Sequence, residues 1–117
     1  MISKETFELI TKFRDDRNWK QFHNPKDLAI SINLEAAELL EIFQWSGQDL
    51  TCDDKIDKVK EELADVISYC ILMADACKLD LDEIVHAKME RNGKKYPVEQ
   101  AYGNKAKYTE LKAAEDK

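Results

Sequence analysis

Four acids are set apart by their spacing and their company: Glu35 and Glu38 in the stretch 33–40, and Glu62 and Asp65 in the stretch 61–67. Each pair is spaced i, i+3, so on an α-helix both carboxylates lie on one face, a turn apart. Leu34, Ala36, Ala37, Leu39 and Leu40 flank the first pair; Leu63, Ala64, Val66 and Ile67 flank the second. Helices apolar nearly all round are expected in the core of a bundle. A carboxylate there is costly unless a cation compensates it, and two facing pairs would raise one another's pKa values. Hard divalent cations bound by oxygen ligands resolve that conflict, and Mg²⁺ is the usual choice where phosphates are the substrate. Glu41, Lys60 and Glu61 read instead as solvated charges on helix faces.

Other metal chemistry fits less well. Glu83-Ile-Val-His86 matches the Glu-x-x-His element of di-iron bundles, but such sites need it on two helices and it occurs once here. The acidic stretch 46–54 lacks the alternating ligands and central glycine of a calcium-binding EF-hand loop. No Ser/His/Asp or Cys/His nucleophile arrangement is indicated.

Two further clusters admit two readings each. Lys88, Asn92, Lys95 and Tyr96 recur at one-turn spacings near the end of a predicted helix. They either compensate its dipole or hold phosphate oxygens. Trp19, Phe22, His23, Phe43 and Trp45 bracket another predicted helix. They are either core packing, or Trp19 and Trp45, beside polar loops, stack on a flat base whose edge His23 meets.

The elements that must position these groups are helical. An apolar stripe of Phe7, Ile10 and Phe13 predicts a first helix from about residue 4 to 18, with Ser3 as N-cap. Asn24-Pro25 opens a second, with the cap at Asn24 and proline in the first turn, ending near Trp45-Ser46-Gly47. A third is expected from about 55 to 77, burying Ile56, Val59, Leu63, Val66, Ile67, Cys70, Ile71 and Ala74. Asp80 and Glu83 form a capping box for a fourth helix, which should stop at Asn92-Gly93 with glycine in the left-handed position. From Lys94 the chain reads as irregular, with a frayed end over 112–117. The architecture predicted is an all-α four-helix bundle with a C-terminal extension, one domain over residues 1–117.

Composition narrows the function classes. A formal net charge of −6 argues against nonspecific binding of a nucleic-acid polymer, which needs a basic face. Nucleotides stay open, since a metal can supply the positive charge. Cys52, Cys70 and Cys77 lack metal-ligand spacing and read as core thiols in a reducing compartment. Without a signal peptide or an apolar run of about 20 residues, the expectation is a soluble, cytoplasmic protein that does not enter membranes.

Laid out in order, these motifs resemble the MazG-like nucleotide pyrophosphohydrolases, and most closely their dCTP pyrophosphatase branch. The family mark, Glu-x-x-Glu, a spacer and Glu-x-x-Asp, is met by Glu35, Glu38, Glu62 and Asp65. Further matching stretches are Arg17-Asn-Trp-Lys-Gln-Phe-His23, Glu38-Leu-Leu-Glu-Ile-Phe-Gln-Trp45, Lys88-Met-Glu-Arg-Asn92 with Lys95-Tyr-Pro97, and Lys107-Tyr-Thr-Glu-Leu111. The resemblance implies Mg²⁺-dependent hydrolysis of a nucleoside triphosphate to monophosphate and pyrophosphate, with the four acids holding metal and Glu35 or Glu38 serving as base. It implies that Trp19, His23 and Trp45 line a base pocket, that Lys88, Asn92, Lys95 and Tyr96 hold the phosphate tail, and that Tyr69, one turn from Asp65, joins them. It implies homodimers or homotetramers. Vertebrate relatives carry a histidine on the first helix where this chain has Ile10, a departure that opens the site to deoxynucleotides besides dCTP. The alternative is a non-catalytic nucleotide-sensing module on the same bundle; loss of an acid would favour it, and all four are present.

Overall fold

The computed structural model describes residues 2–105; the motif at 107–111 and the tail at 112–117 lie outside the described residues. The described residues form helices and no strands: α1 (Lys4–Asp16), a 3₁₀ turn (Trp19–Phe22), α2 (Pro25–Glu41), α3 (Ile56–Ala76), α4 (Leu81–Lys95) and a short α5 (Val98–Ala101). The chain divides into a first compact unit, Met1–Asp80, and a second that begins at Leu81.

In the first unit the predicted starts hold. The Ser3 side chain accepts from the Thr6 N–H at 3.1 Å, and the Asn24 side chain accepts from the Asp27 N–H at 2.9 Å, with Pro25 in the first turn of α2. Each satisfies a donor that the helix itself cannot. α1 stops at Asp16, and Asn18 takes a left-handed φ of 54° that turns the chain into the 3₁₀ segment. Asparagine tolerates that conformation better than most residues. α2 ends at Glu41, earlier than expected, and the chain passes Trp45 in hydrogen-bonded turns: Phe43 N–H to Leu40 at 2.9 Å, Gln44 N–H to Glu41 at 3.1 Å. α3 packs along α2 and also meets α1.

Burial departs from the expectation of a fully covered bundle. Among the described residues the buried apolar core is Leu28, Ile71, Leu72 and Ala74, with Leu28 and Ile71 fully covered. Leu34 on α2 is 58% exposed and Leu40 71%, and Ile30, Ile56, Leu63 and Ile67 are also exposed. The helices are apolar nearly all round, as read, but a single chain supplies neighbours for only part of that surface. The thiols are free, with Cys52 and Cys70 half-buried and Cys77 exposed rather than in the core.

In the second unit α4 starts directly after Asp80, but it does not stop at Gly93. It runs two residues further, and the positive-φ glycines are Gly47 and Gly103. Glycine in a helix costs about 1 kcal/mol, a penalty the surrounding turns absorb. Pro97 is what ends the helix, because a proline disfavours helical conformation in the residue before it. Four residues beyond it form α5 where irregular chain was expected. No helix among the described residues is long and apolar enough to cross a membrane.

Candidate metal centre and flanking cavities

α2 and α3 bring the two acid pairs face to face. Glu35, Glu38, Glu62 and Asp65 each offer a carboxylate oxygen within 4.8 Å of the others, the only such group of three or more metal-capable side chains among the described residues. Glu83 and His86 take no part in a comparable grouping. The cluster is electrostatically unsatisfied. Glu35 Oε2 and Glu62 Oε2 are buried without a hydrogen-bond partner, a costly state for a carboxylate. Burial, then hydrogen bonding with Glu38 and the charges of Glu38, Asp65 and Glu62, pushes the Glu35 carboxyl up to about 7. Hydrogen bonding with Glu38, then burial and neighbouring charge, raises Glu62. Four converging carboxylates, two of them with an orphaned buried oxygen, are a donor set suited to a hard divalent cation, so the residues present fit one.

Two cavities adjoin the cluster. The first, about 310 Å³, is walled by Leu9, Ile10, Phe13 and Leu72, with Trp19, His23, Tyr69 and Arg14 among its lining and Asp65 at its border with the cluster. Trp19 packs edge-on to Phe13 at 5.8 Å between centroids, and His23 edge-on to Tyr69 at 6.5 Å. His23 Nδ1 is buried without a partner. Burial, then the positive charge of Arg14, holds the His23 pKa below its ordinary value, so the ring is neutral near pH 7. Burial, then Glu35, Asp65 and Glu38, raises the Tyr69 phenol, so it stays protonated and can donate.

The second is an open polar cleft of about 600 Å³, lined by Glu38, Glu62, Glu41, Ile42, Gln44, Trp45, Lys55 and Lys58. The expected base-stacking pair is therefore divided. Trp19 lies with His23 and Tyr69 in the apolar cavity, whereas Trp45, 89% exposed, lies in the polar cleft. The early end of α2 is the local cause, since it swings Trp45 off the helix. Tyr69, grouped by sequence with the phosphate-holding residues, stands with the aromatics instead.

Lys88, Asn92 and Lys95 share one face of α4 at i, i+4 and i+7, and the Tyr96 N–H donates to the Asn92 carbonyl at 2.8 Å. These residues belong to the second unit. Sequence reasoning missed Arg14, Lys55 and Lys58. Arg14 had a visible signal: it stands i+4 from Ile10 and i+7 from Phe7, a charge on the apolar stripe of α1. Lys58 and Lys55 precede Glu62 by one and two turns, which a reading of the acids' own helix face could have found.

Comparison with known proteins gives a family and a similar fold. The family model of the MazG-like family matches residues 30–111. The chain is 35% identical over 108 residues to dCTP pyrophosphatase 1 of Bos taurus and 36% identical over 108 residues to that of Homo sapiens, in each case over 88% of this chain and 64% of the relative. It thus spans a little under two thirds of the length of these curated relatives. Among solved structures it is similar to a pyrophosphatase from Archaeoglobus fulgidus, with a TM-score of 0.75 and 41% identity, covering 80% of this chain and 91% of that one.

Proposed function

Because the chain belongs to the MazG-like family, and because four carboxylates meet within 4.8 Å with two buried oxygens unpaired, we propose that it is a nucleoside triphosphate pyrophosphohydrolase. It adds water to a (deoxy)nucleoside triphosphate, dCTP foremost, and breaks the link between the α and β phosphorus atoms to give monophosphate and pyrophosphate. The convergence of acids carries this reading. The names of the similar vertebrate proteins and of the archaeal structure support it.

Glu35, Glu38, Glu62 and Asp65 hold Mg²⁺ in this reading. Bound there, the ion supplies the positive charge that phosphate oxygens need before they can approach an acidic cluster. The chain's own groups do the rest. Glu38 or Glu35 accepts the proton of the attacking water. Trp19 and His23 receive the base in the apolar cavity. Tyr69, held protonated, donates at the border of the cavity and the cluster. Trp45 lines the polar cleft. Lys88, Asn92, Lys95 and Tyr96 of α4 hold the phosphate tail. Exposed apolar residues on α2 and α3 support a homodimer or homotetramer, because exposed patches of that kind mark interaction surfaces. The reading places the single domain in the cytoplasm with the nucleotide pool, and involves no nucleic-acid polymer or membrane.

Product analysis on common deoxy- and ribonucleoside triphosphates, with Mg²⁺ and with chelator, tests it. Monophosphate and pyrophosphate in equal amounts, dCTP first and Mg²⁺ required, is the expected result. Nucleotide bound with Mg²⁺ and released intact would replace the enzyme with a sensor. Light scattering should give a mass of two or four chains; a monomer would remove the assembly from the reading.

A further inference from the structure

Arg14 is a charged side chain that α1 places inside the first unit, 4% exposed. Its Nε donates to Asp15 at 2.8 Å and its Nη1 to Asp75, near the end of α3, at 2.6 Å. Hydrogen bonding to Asp15, opposed by burial and reinforced by Asp75, keeps the guanidinium charged. One function is plain: the pair ties α1 to α3. A buried ion pair is a poor way to gain stability alone, since an apolar residue of similar volume usually does as well.

Two observations point beyond a tie. Arg14 forms part of the wall of the 310 Å³ cavity, and its Nη2 amino group has no hydrogen-bond acceptor among the described residues. The cavity lining also includes His23, whose Nδ1 is buried without a hydrogen-bond partner. A guanidinium only donates, whereas a neutral imidazole offers one donor and one acceptor. Between apolar walls, these two groups leave room for a ligand with an acceptor oxygen beside a polar ring edge. Asp15 and Asp75 already balance the charge of Arg14, so the site favours a neutral acceptor over an anion. A phosphate in these apolar surroundings would lose its hydration without gaining a net counter-charge.

We propose that Arg14 is a specificity-determining residue of the base cavity: its Nη2 donates to an exocyclic carbonyl oxygen of the base, favouring cytosine, uracil, thymine and guanine over adenine, which has none. This rests on the nucleotide reading above. Asp75 is then a positioning residue, fixing the guanidinium so that the Nη2 amino group is left for the ligand.

The test compares kcat/KM for dCTP and dATP, and dissociation constants for dCMP and dAMP, in wild type, Arg14→Lys and the double variant Arg14→Met/Asp75→Leu. The double variant removes the pair without stranding a buried charge. Its kcat/KM for dCTP should fall about 10- to 100-fold further than that for dATP, the value of a hydrogen bond to a charged group. Arg14→Lys keeps a charge for Asp75 but loses the planar fork, so it should lose most of the preference with little change in Tm. If the double variant does not fold, the Arg14→Lys ratios decide. Equal losses for both bases, or unmoved ratios in a folded variant, would overturn the proposal and leave the hydrolase reading standing. A wild type that hydrolyses no triphosphate would bring down both.

Discussion

The two cavities beside the acid cluster differ in almost every property that matters to a ligand. One is bounded by leucine, isoleucine and aromatic rings, with a neutral histidine and an arginine already matched by two carboxylates. The other is wide, open and charged, with Lys55 and Lys58 facing Glu38, Glu41 and Glu62. The change happens along one face of α3. Lys58 and Glu62 line the cleft, with Lys55 just ahead of the helix; Asp65 marks the border; Ser68, Tyr69 and Leu72 line the apolar cavity. Those positions recur at three- and four-residue steps, which is what keeps them on a single stripe. A molecule matched to both ends is flat and weakly polar at one side and anionic at the other, with its reactive middle at the carboxylates. A nucleoside triphosphate has that form.

The largest effect is expected from removing the acids between the two regions. Glu38→Gln or Asp65→Asn should lower kcat by more than about 100-fold, since groups one shell further from a metal already change affinity or activity by 10- to 100-fold. Metal-free Tm should hold or rise, because each substitution relieves repulsion among the four acids. Wild-type turnover in either variant would detach the cluster from the chemistry.

Next in size is the contrast between the tryptophans. Trp19→Ala should weaken binding of a nucleoside monophosphate by about 1–3 kcal/mol, the range for base–aromatic stacking. Trp45→Ala should weaken it less, because the cleft where Trp45 lies is the polar one. Calorimetric titration with dCMP checks both. A larger loss at Trp45 would mean that the base occupies the cleft, and the assignment of the two ends would reverse.

The acids at the border also make the metal-free protein sensitive to pH. Glu35 titrates near 7 when folded, against an ordinary value of 4.5, and Glu62 is shifted the same way. Between those values the folded state holds more protons than the unfolded one, so stability falls as pH rises from about 4.5 through 7. The part due to Glu35 is on the order of 2 kcal/mol once solvent screening is allowed for. Mg²⁺ should flatten the fall, because it stabilises the ionised carboxylates. Urea midpoints in chelator and in Mg²⁺ across that window measure it; metal-free stability that rose with pH would contradict the folded geometry of the cluster.

What the sequence made legible follows from how local each signal is. Ser3 and Asn24 cap helices through hydrogen bonds to residues three positions on, so their starts could be read. The acids could be read as two facing pairs because apolar residues flank each pair. Gly93 misled because a helix tolerates glycine when the following turns continue, and Pro97 gave the stronger stop. The exposure of Leu34 and Leu40 was hidden because periodicity shows that a face is apolar, not that one chain covers it. Arg14 was missed for a related reason. Its partner Asp75 lies 61 residues away, and only the packing of α1 on α3 joins them.

The smallest expected effect tests the polar side. Lys55 carries a long contact of 3.6 Å to exposed Asp54, a pair of little energetic weight, and Lys58 lines the same cleft. If the anionic end of the substrate lies there, removing both charges in Lys55→Met/Lys58→Met should raise KM for a triphosphate several-fold. Each charge at the edge of an open cleft contributes about 1 kcal/mol or less. The loss should shrink in high salt, which screens exposed charges within about 10 Å at 0.1 M. Affinity for the corresponding nucleoside should not change, since its base and sugar carry no charge for the lysines to meet. That pairing of readouts separates the two regions: a change in nucleoside affinity would mean that the double substitution disturbs the apolar cavity through α3, while a salt-dependent rise in KM alone would assign the charged end of the ligand to the cleft.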